Sequence, residues 1–195
     1  MGRLSGKRAL MTGSGGLLGG DLARGFAAEG ADLVLTTRTA AKLAPLADEA
    51  RALGREAACV ACDFTDDAAI DQLAGAAWDA FGGIDVVLLS GQPPECNLGE
   101  ILGCPDAAFK EQMQAIVWGP LRLIRALAPK MMAAGGGSVI TVISSTGFDP
   151  VPGYSAYGLA KGALWTLTRY IYGGGMGQGR DQGQCLHPGA GGDSR

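Results

Sequence analysis

Short apolar runs alternate with longer amphipathic stretches along most of the chain. The apolar runs predict strands over residues 7–12, 31–36, 57–61, 84–89 and 138–143, and helical spacing predicts helices over residues 17–28, 40–53, 66–81, 106–134 and 155–172. Residues 185–189 are expected to form a short sixth strand and a turn. Strands that alternate with helices form a parallel sheet with helices on both faces. We therefore expect a doubly wound α/β fold, with residues 1–195 forming a single domain.

Two stretches depart from this regular alternation. Gly119-Pro120 interrupts the long helical pattern and predicts a break there, because proline removes a helical hydrogen bond. Residues 173–184 (GGGMGQGRDQGQ) hold six glycines, too many for a stable helix, so a flexible loop is expected.

The composition is typical of a globular protein without a nucleic-acid or membrane partner. Hydrophobic residues make up 47% of the 195 residues and charged residues 18%, and the net charge is −3 without a block of Lys or Arg. No apolar run reaches the ~20 residues that cross a bilayer, and the N-terminus does not resemble a signal peptide. A cytoplasmic location is therefore expected.

The five cysteines do not predict a disulfide framework, because their number is odd and their spacing irregular. Cys59 and Cys62 have CxxC spacing, but no second pair accompanies them and the chain has one His. We expect buried thiols there and no metal site.

A glycine-rich loop, TGSGGLLG, lies between the first predicted strand and the first predicted helix. In this setting glycines permit a tight turn and the close approach of a pyrophosphate, while the helix N-terminus offers free N–H groups. The alternative is a plain flexible turn. The candidate dinucleotide-binding residues in the loop are Gly13, Ser14, Gly16, Leu17, Leu18 and Gly19.

The end of the second predicted strand favours NADP(H) over NAD(H). An acidic residue there would bind the ribose hydroxyls of NAD, whereas a basic residue suits the 2′-phosphate of NADP. The sequence Leu35-Thr36-Thr37-Arg38 has no acid, and Lys42 follows one turn later. Arg38 is thus the candidate phosphate contact.

Tyr157 and Lys161 stand four residues apart in the last predicted helix, on one face. A phenol is a poor acid, with a reference pKa of about 10, and a neighbouring ammonium lowers that pKa. Tyr154 has no lysine four residues after it, so Tyr157 is the better candidate. A decorative surface pair is the alternative interpretation.

Together these motifs resemble those of the short-chain dehydrogenase/reductase family, from residue 7 to about residue 189. The glycine loop, the CDFTD segment at 62–66, the Ser144-Ser145 pair and the YxxxK motif at 157–161 carry the resemblance. It implies a Rossmann-like sheet of six strands, with the family's seventh strand missing and helices on both faces.

The resemblance implies roles for individual residues. Ser145, twelve residues before Tyr157, would hold the carbonyl oxygen of the substrate, with Ser144 as the alternative if the loop is one residue shorter. Tyr157 would protonate that oxygen, and Lys161 would lower the Tyr157 pKa and bind the nicotinamide ribose. Further cofactor contacts would come from Asp63 at the adenine and from Phe64, Ser90, Gly91, Pro188 and Gly189.

Three departures from the family pattern stand out. Leu17 occupies the place of the middle glycine, Leu89-Ser90-Gly91-Gln92 replaces Asn-Asn-Ala-Gly, and Ile116 stands where many members carry a proton-relay Asn. Members also continue for roughly fifty residues beyond the Pro-Gly turn, where they form a substrate lid and subunit contacts. The resemblance is thus to a C-terminally shortened member, in which a homo-oligomer would be weakened.

The leading hypothesis is an NADP(H)-dependent oxidoreductase of ketoreductase type, acting on a small carbonyl or alcohol substrate. Residues 91–105 and 146–154 would line its substrate pocket. One alternative is a catalytically impaired relative that binds nucleotide and regulates or scaffolds. Another is an epimerase or dehydratase, suggested by the spacing of the glycine loop alone.

Overall fold

A six-stranded parallel sheet forms the centre of the molecule, as seen in a computed structural model that describes residues 2–173 and 185–186. The strands are β1 (Arg8–Thr12), β2 (Asp32–Thr37), β3 (Ala57–Ala61), β4 (Val86–Leu89), β5 (Ser138–Val142) and β6 (Cys185–Leu186). The helices are α1 (Leu17–Ala28), α2 (Ala44–Ala52), α3 (Asp67–Phe81), α4 (Asp106–Met113), α5 (Gly119–Ala133) and α6 (Ser155–Gly173). Short 3₁₀ turns cover Ala40–Lys42 and Ser145–Gly147, and a π-helical turn covers Gln114–Trp118.

The strand order is β3-β2-β1-β4-β5-β6, so the predicted doubly wound α/β fold is confirmed. β1 pairs in parallel with β2 on one side and with β4 on the other. The chain therefore changes direction between β1 and β4, which creates a crevice at the carboxyl ends of these strands. Ligands bind at this place in open α/β sheets.

Both faces of the sheet are buried, because helices cover each of them. Successive side chains of a strand point to opposite faces and so enter two different clusters. Leu10 and Val34 belong to an apolar cluster that also contains residues of α3 and α5. Met11 and Leu35 belong to a second cluster, on the side of α1 and α2. This explains why the strands read as nearly continuous apolar runs instead of alternating patterns.

Local chemistry explains most of the helix boundaries. Pro45 lies in the first turn of α2, where it is tolerated, and the 3₁₀ turn takes up the predicted start of that helix. The Asp66 carboxylate caps α3 by accepting hydrogen bonds from the N–H groups of Ala68 (2.9 Å) and Ala69 (3.3 Å). Gly82 ends α3 with a φ of 68°.

The break predicted at Gly119-Pro120 is absent: the helix is continuous over residues 106–133 and has one widened turn. The Gly119 N–H donates to the carbonyl of Gln114, five residues earlier, which defines the π-helical turn. Pro120 has no N–H to donate, so it fits directly after this turn. A side chain at Gly119 would collide with Phe64, whose ring and backbone lie 2.8 Å from an added Cβ.

Several expectations concern residues outside the described part of the chain. These are the flexible loop expected over residues 173–184 and the turn expected at Pro188-Gly189. Of the loop residues, Gly173 is described, and it belongs to α6. A single domain over residues 1–195 accordingly stays a prediction. Among the described residues, none of the helices combines the length and the apolar character that a membrane span requires.

The expectation of two buried thiols in the CxxC segment is half wrong. Cys62 is buried, but Cys59 is exposed, because it lies on the edge strand β3. Within the described residues, no cluster of three or more His, Cys, Asp or Glu side chains could hold a metal ion.

Candidate active site

The glycine loop after β1 packs so closely against neighbouring backbone that side chains would not fit. Gly13 has a φ of +69°, and an added Cβ would lie 2.9 Å from the Cα of Gly91. An added Cβ at Gly19 would overlap the carbonyl oxygen of Gly13. These two glycines bring the first turn of α1 against the end of β1, and thereby open a cradle at the helix N-terminus.

The carboxyl ends of β1 and β4 are joined by side-chain hydrogen bonds. The Thr12 hydroxyl accepts from the N–H of Ser90 (3.0 Å) and from the N–H of Gly91 (3.2 Å). The Ser90 hydroxyl in turn donates to the Thr12 carbonyl at 2.5 Å. Thr12 therefore supplies the support for the segment where this chain lacks the family's Asn-Asn-Ala-Gly.

A cavity of about 430 Å³ opens at this crevice. Its volume falls within the range of roughly 300–1,000 Å³ usual for ligand sites. It is lined by the glycine loop, the ends of β2, β3 and β4, and part of α4, including Gly13, Gly16, Leu17, Leu18, Gly19, Thr36, Arg38, Lys42, Asp63, Phe64, Ser90, Gly91, Gln92, Glu111 and Val142. Most of the residues predicted to bind the cofactor thus share one cavity, whereas Ser14, Tyr157 and Lys161 are not among its lining residues.

Ser14 is the exception among the loop residues. Its side chain is buried, and its hydroxyl donates to the carbonyl of Met11 at 2.6 Å. Ser14 therefore stabilises the turn from inside and does not line the cavity. The expected contact of Ser14 with a dinucleotide stays a prediction.

The cavity wall has polar groups that suit a nucleotide. The Thr36 hydroxyl is fully buried and has no hydrogen-bond partner among the described residues. Arg38 and Lys42 form no ion pair within the described part of the chain, so their charges face the cavity unneutralised. Asp63 uses Oδ1 to accept from the N–H (2.9 Å) and the hydroxyl (2.7 Å) of Thr65, which orients its carboxylate.

Lys161 is almost completely buried and lies directly behind the cavity wall. Its Nζ donates to the carbonyl oxygen of Val142, a cavity residue, at 2.8 Å, and lies 5.5 Å from the centre of the Tyr157 ring. Burial lowers the pKa of Lys161 to about 8, since the charged form loses hydration, and this outweighs the opposite influence of Cys96. The ammonium is therefore still the main form at neutral pH.

The pKa of Tyr157 moves in the direction opposite to the sequence-based expectation. Burial raises it above the usual value, and Cys96 and Tyr154 act in the same direction. The hydroxyl of Ser144 lowers it by a hydrogen bond, but burial dominates. The expected lowering by Lys161 is not found, so the phenol of the protein alone is firmly protonated at neutral pH.

The structure places Ser144 beside the Tyr157 phenol, and Ser145 is exposed. Ser144 is the last residue before the 3₁₀ turn, and its hydroxyl accepts from the N–H (3.3 Å) and the hydroxyl (2.8 Å) of Thr146. Those bonds leave the Ser144 proton free for donation. The choice of Ser145 over Ser144 therefore does not match the geometry, because the hydroxyl that is hydrogen-bonded to the phenol belongs to Ser144.

Tyr157 donates its phenol proton to the side-chain oxygen of Gln92 at 3.1 Å. Since Gln92 lines the cavity, this bond joins the tyrosine to the cavity wall. Sequence reasoning missed both Gln92 and Thr12. A signal for Gln92 existed, since it replaces the last glycine of the family's Asn-Asn-Ala-Gly.

Ile116 and the two candidate substrate loops also have defined surroundings. Ile116 is fully buried in an apolar cluster with Ala160 and Leu164 of α6, against which Tyr157 packs, so no polar group takes the place of the family's relay Asn at that position. The loops over residues 91–105 and 146–154 are hydrogen-bonded to each other, with the Gly99 N–H donating to the Gly153 carbonyl at 3.0 Å. They thus form one continuous wall next to α6.

The family model of the short chain dehydrogenases matches residues 7–172. An uncharacterized oxidoreductase of Mycobacterium tuberculosis is 37% identical over 170 residues, which cover 86% of this chain and 63% of that protein. The oxidoreductase UcpA of Escherichia coli is 33% identical over 173 residues, covering 88% of this chain and 64% of that protein. The chain belongs to the short-chain dehydrogenase family, and it spans less than two thirds of these relatives.

Solved structures of two oxidoreductases have the same fold. A metagenomic short-chain oxidoreductase in complex with NADP superimposes with a TM-score of 0.89 at 30% identity, covering 96% of this chain and 84% of that one. A 7α-hydroxysteroid dehydrogenase complexed with NADH and 7-oxo glycochenodeoxycholic acid gives a TM-score of 0.88 at 27% identity, with 96% and 72% covered. The two structures hold different nicotinamide cofactors.

Proposed function

We propose that this chain carries the catalytic part of an NADP(H)-dependent oxidoreductase that interconverts a carbonyl compound and a secondary alcohol. The observation that supports it best is the position of Tyr157 and Lys161 directly against the wall of the glycine-lined cavity. A protonated phenol, a serine hydroxyl and an ammonium converge there. This is the set of groups that a developing alkoxide requires.

The residues of the chain divide the chemistry between them. The Ser144 hydroxyl donates to the carbonyl oxygen of the substrate and orients it. A bound reduced nicotinamide supplies the hydride that the carbonyl carbon accepts. Tyr157 gives its proton to the oxygen, and the Lys161 charge stabilises the resulting phenolate.

The cavity supports NADP(H) as the cofactor. The cradle formed by Gly13 and Gly19 leaves room for a pyrophosphate at the N-terminus of α1. The Asp63 carboxylate would accept from the adenine amino group, and Arg38 with Lys42 would hold the 2′-phosphate. The NADP bound to the metagenomic relative is consistent with this assignment, while the NADH of the steroid dehydrogenase keeps NAD(H) as the alternative.

The decisive experiment combines NADPH binding with turnover on a panel of ketones and aldehydes. Tyr157→Phe keeps the ring but removes the proton donor, so we expect unchanged NADPH affinity and a loss of turnover of about 10²–10⁴-fold. Tyr170→Phe, a change at an exposed tyrosine of the same helix, is the matched control and should retain full activity. Equal turnover in wild type and Tyr157→Phe would disprove the assigned mechanism.

The same experiment judges the competing interpretation of a catalytically impaired nucleotide-binding relative. Tight NADPH binding without turnover on any carbonyl of the panel would favour it over the enzyme. The hydrogen bonds that Thr12 makes to Ser90 and Gly91 argue against impairment, because they maintain the strand end at which the family motif is altered. The cytoplasmic location and a homo-oligomer remain predictions.

A further inference from the structure

We propose that Gln92 is a positioning residue for the tyrosine: its side-chain oxygen holds the phenol proton of Tyr157 until the oxygen of a substrate replaces it. This inference rests on the proposed function, since it assigns a role within the same site. Its basis is the 3.1 Å hydrogen bond from the Tyr157 phenol to Gln92 Oε1. Gln92 also lines the cavity, next to Gly91 at the end of β4.

The direction of the neighbouring hydrogen bonds agrees with this role. The Thr146 hydroxyl donates to Ser144 at 2.8 Å, and the Ser144 hydroxyl is hydrogen-bonded to the Tyr157 phenol. Since the Ser144 oxygen already accepts from Thr146, its own proton is the one directed at the phenol. The phenol proton then goes to Gln92, so that four side chains form one directed chain that ends on an acceptor without an ionisable proton.

A phenol has one proton and can donate it to one strong acceptor at a time. In the free protein that acceptor is Gln92, so a substrate carbonyl must displace the Gln92 oxygen before it can be protonated. The last residue of the family's Asn-Asn-Ala-Gly is a glycine, which has no side-chain oxygen to compete with the substrate for the phenol proton. The contact between Gln92 and Tyr157 is therefore a property of this chain, and it opposes substrate binding while keeping the phenol aimed at the cavity.

The surroundings of the phenol define what else can influence it. Lys161 faces its ring from the same helix, Tyr154 packs against it from the residues before α6, and Cys96 approaches from the loop after β4. Substitutions at Gln92 change none of these groups. A change in the titration of Tyr157 in such variants can therefore be assigned to the Gln92 contact.

Two substitutions should act in opposite directions. Gln92→Met keeps the length of the side chain but removes the acceptor, so the pKa of Tyr157 should fall and the KM for the carbonyl substrate should drop about two- to tenfold. Gln92→Glu supplies a charged acceptor, so the pKa should rise and the KM should increase about tenfold.

The test measures both quantities in wild type, in the two variants and in Gln72→Met, an exposed glutamine of α3 that serves as the matched control. NMR of ¹³C-labelled tyrosine follows the phenol in the protein alone, and Tyr157→Phe assigns the signal. Opposite pKa shifts in Gln92→Met and Gln92→Glu, with KM changes to match, support the role of Gln92. An unchanged or raised Tyr157 pKa in Gln92→Met overturns the role of Gln92, whether or not the variants have turnover. If the pKa shifts as expected but no variant has turnover, the result counts against the proposed function alone.

Discussion

At the residue scale, a single side chain at the end of a strand can discriminate between the two nicotinamide cofactors. Arg38 follows β2 directly and lines the cavity, and neither an Asp nor a Glu accompanies it at the strand end. Arginine binds phosphate through several N–H groups at once, so one residue can discriminate between NADPH and NADH. Lys42 adds a second positive charge nearby but as a more flexible contact.

At this scale we predict that Arg38→Ala weakens NADPH binding about 10- to 100-fold, because a hydrogen-bonded charge pair with the 2′-phosphate is lost. NADH binding should change less than threefold, since NADH lacks that phosphate. Fluorescence titration with both cofactors at one fixed ionic strength measures the effect. Arg125→Ala, at an exposed arginine of α5 that does not line the cavity, is the control, and an equal loss for both cofactors would refute the assignment.

At the scale of elements, the neighbouring strands β1 and β2 carry a pair of threonines near their carboxyl ends that differ in one respect. Thr12 and Thr36 are directly opposite each other in the parallel register, and both are buried. The Thr12 hydroxyl accepts two backbone hydrogen bonds from the end of β4, while the Thr36 hydroxyl has no partner among the described residues. The two residues therefore form a natural matched pair for testing what joins β1 to β4.

Thr12→Val should lower the free energy of unfolding by about 1–3 kcal/mol, because two N–H groups at the end of β4 lose their acceptor. Thr36→Val should leave it within about 0.5 kcal/mol of wild type or raise it, since no hydrogen bond is lost. Urea unfolding of both variants measures the difference. Similar losses in the two variants would show that the hydroxyl of Thr12 is not what stabilises the junction.

Much of the fold and of the cavity could be predicted from the sequence, since apolar runs mark buried strands and ligand-binding residues follow their carboxyl ends. Helix α1 and strand β3 have the predicted bounds, and Arg38 and Asp63 lie on the predicted cavity wall. The order of the motifs along the chain was therefore sufficient to predict most of the fold and of the cavity wall.

What could not be predicted depends on side-chain direction and on competing energies. The Ser14 hydroxyl points into the protein, and Ser144 contacts the phenol instead of Ser145. In both cases the backbone geometry of one residue in a turn decides where the hydroxyl points. The raised pKa of Tyr157 results from burial outweighing a hydrogen bond, a balance that spacing along the chain does not reveal. Gln92 lies in an irregular loop, where no periodic pattern assigns a direction.

At the scale of the whole molecule, the buried Lys161 is a charge held in the interior at the expense of stability. Its pKa of about 8 lies below the ordinary 10.5, so the folded state binds the proton less tightly than the unfolded chain does. Between these two pH values the unfolded chain binds more protons, and stability must rise with pH there. Conversely, the full destabilisation is present below pH 8.

We therefore predict that Lys161→Met raises the free energy of unfolding at pH 7 by roughly 1–3 kcal/mol while abolishing turnover. The advantage of the variant should shrink as the pH rises from about 8 towards 10.5, because the wild-type lysine loses its charge in the folded state. Urea unfolding of both proteins at several pH values gives the difference between their free energies of unfolding. The other titrating groups contribute equally to both proteins and cancel in this difference. A difference that stays constant with pH would contradict the burial of a charged lysine.

The widened helical turn at Gln114–Trp118 has a consequence for how this chain is aligned with other sequences. A π turn holds one residue more than an α turn, so it has the effect of a one-residue insertion inside a helix that remains continuous. Against any relative without this turn, the gap belongs within residues 114–118, whereas alignments normally place gaps in loops. The residue of the relative that is aligned with Ile116 therefore changes by one position, depending on whether the gap is placed before or after Ile116.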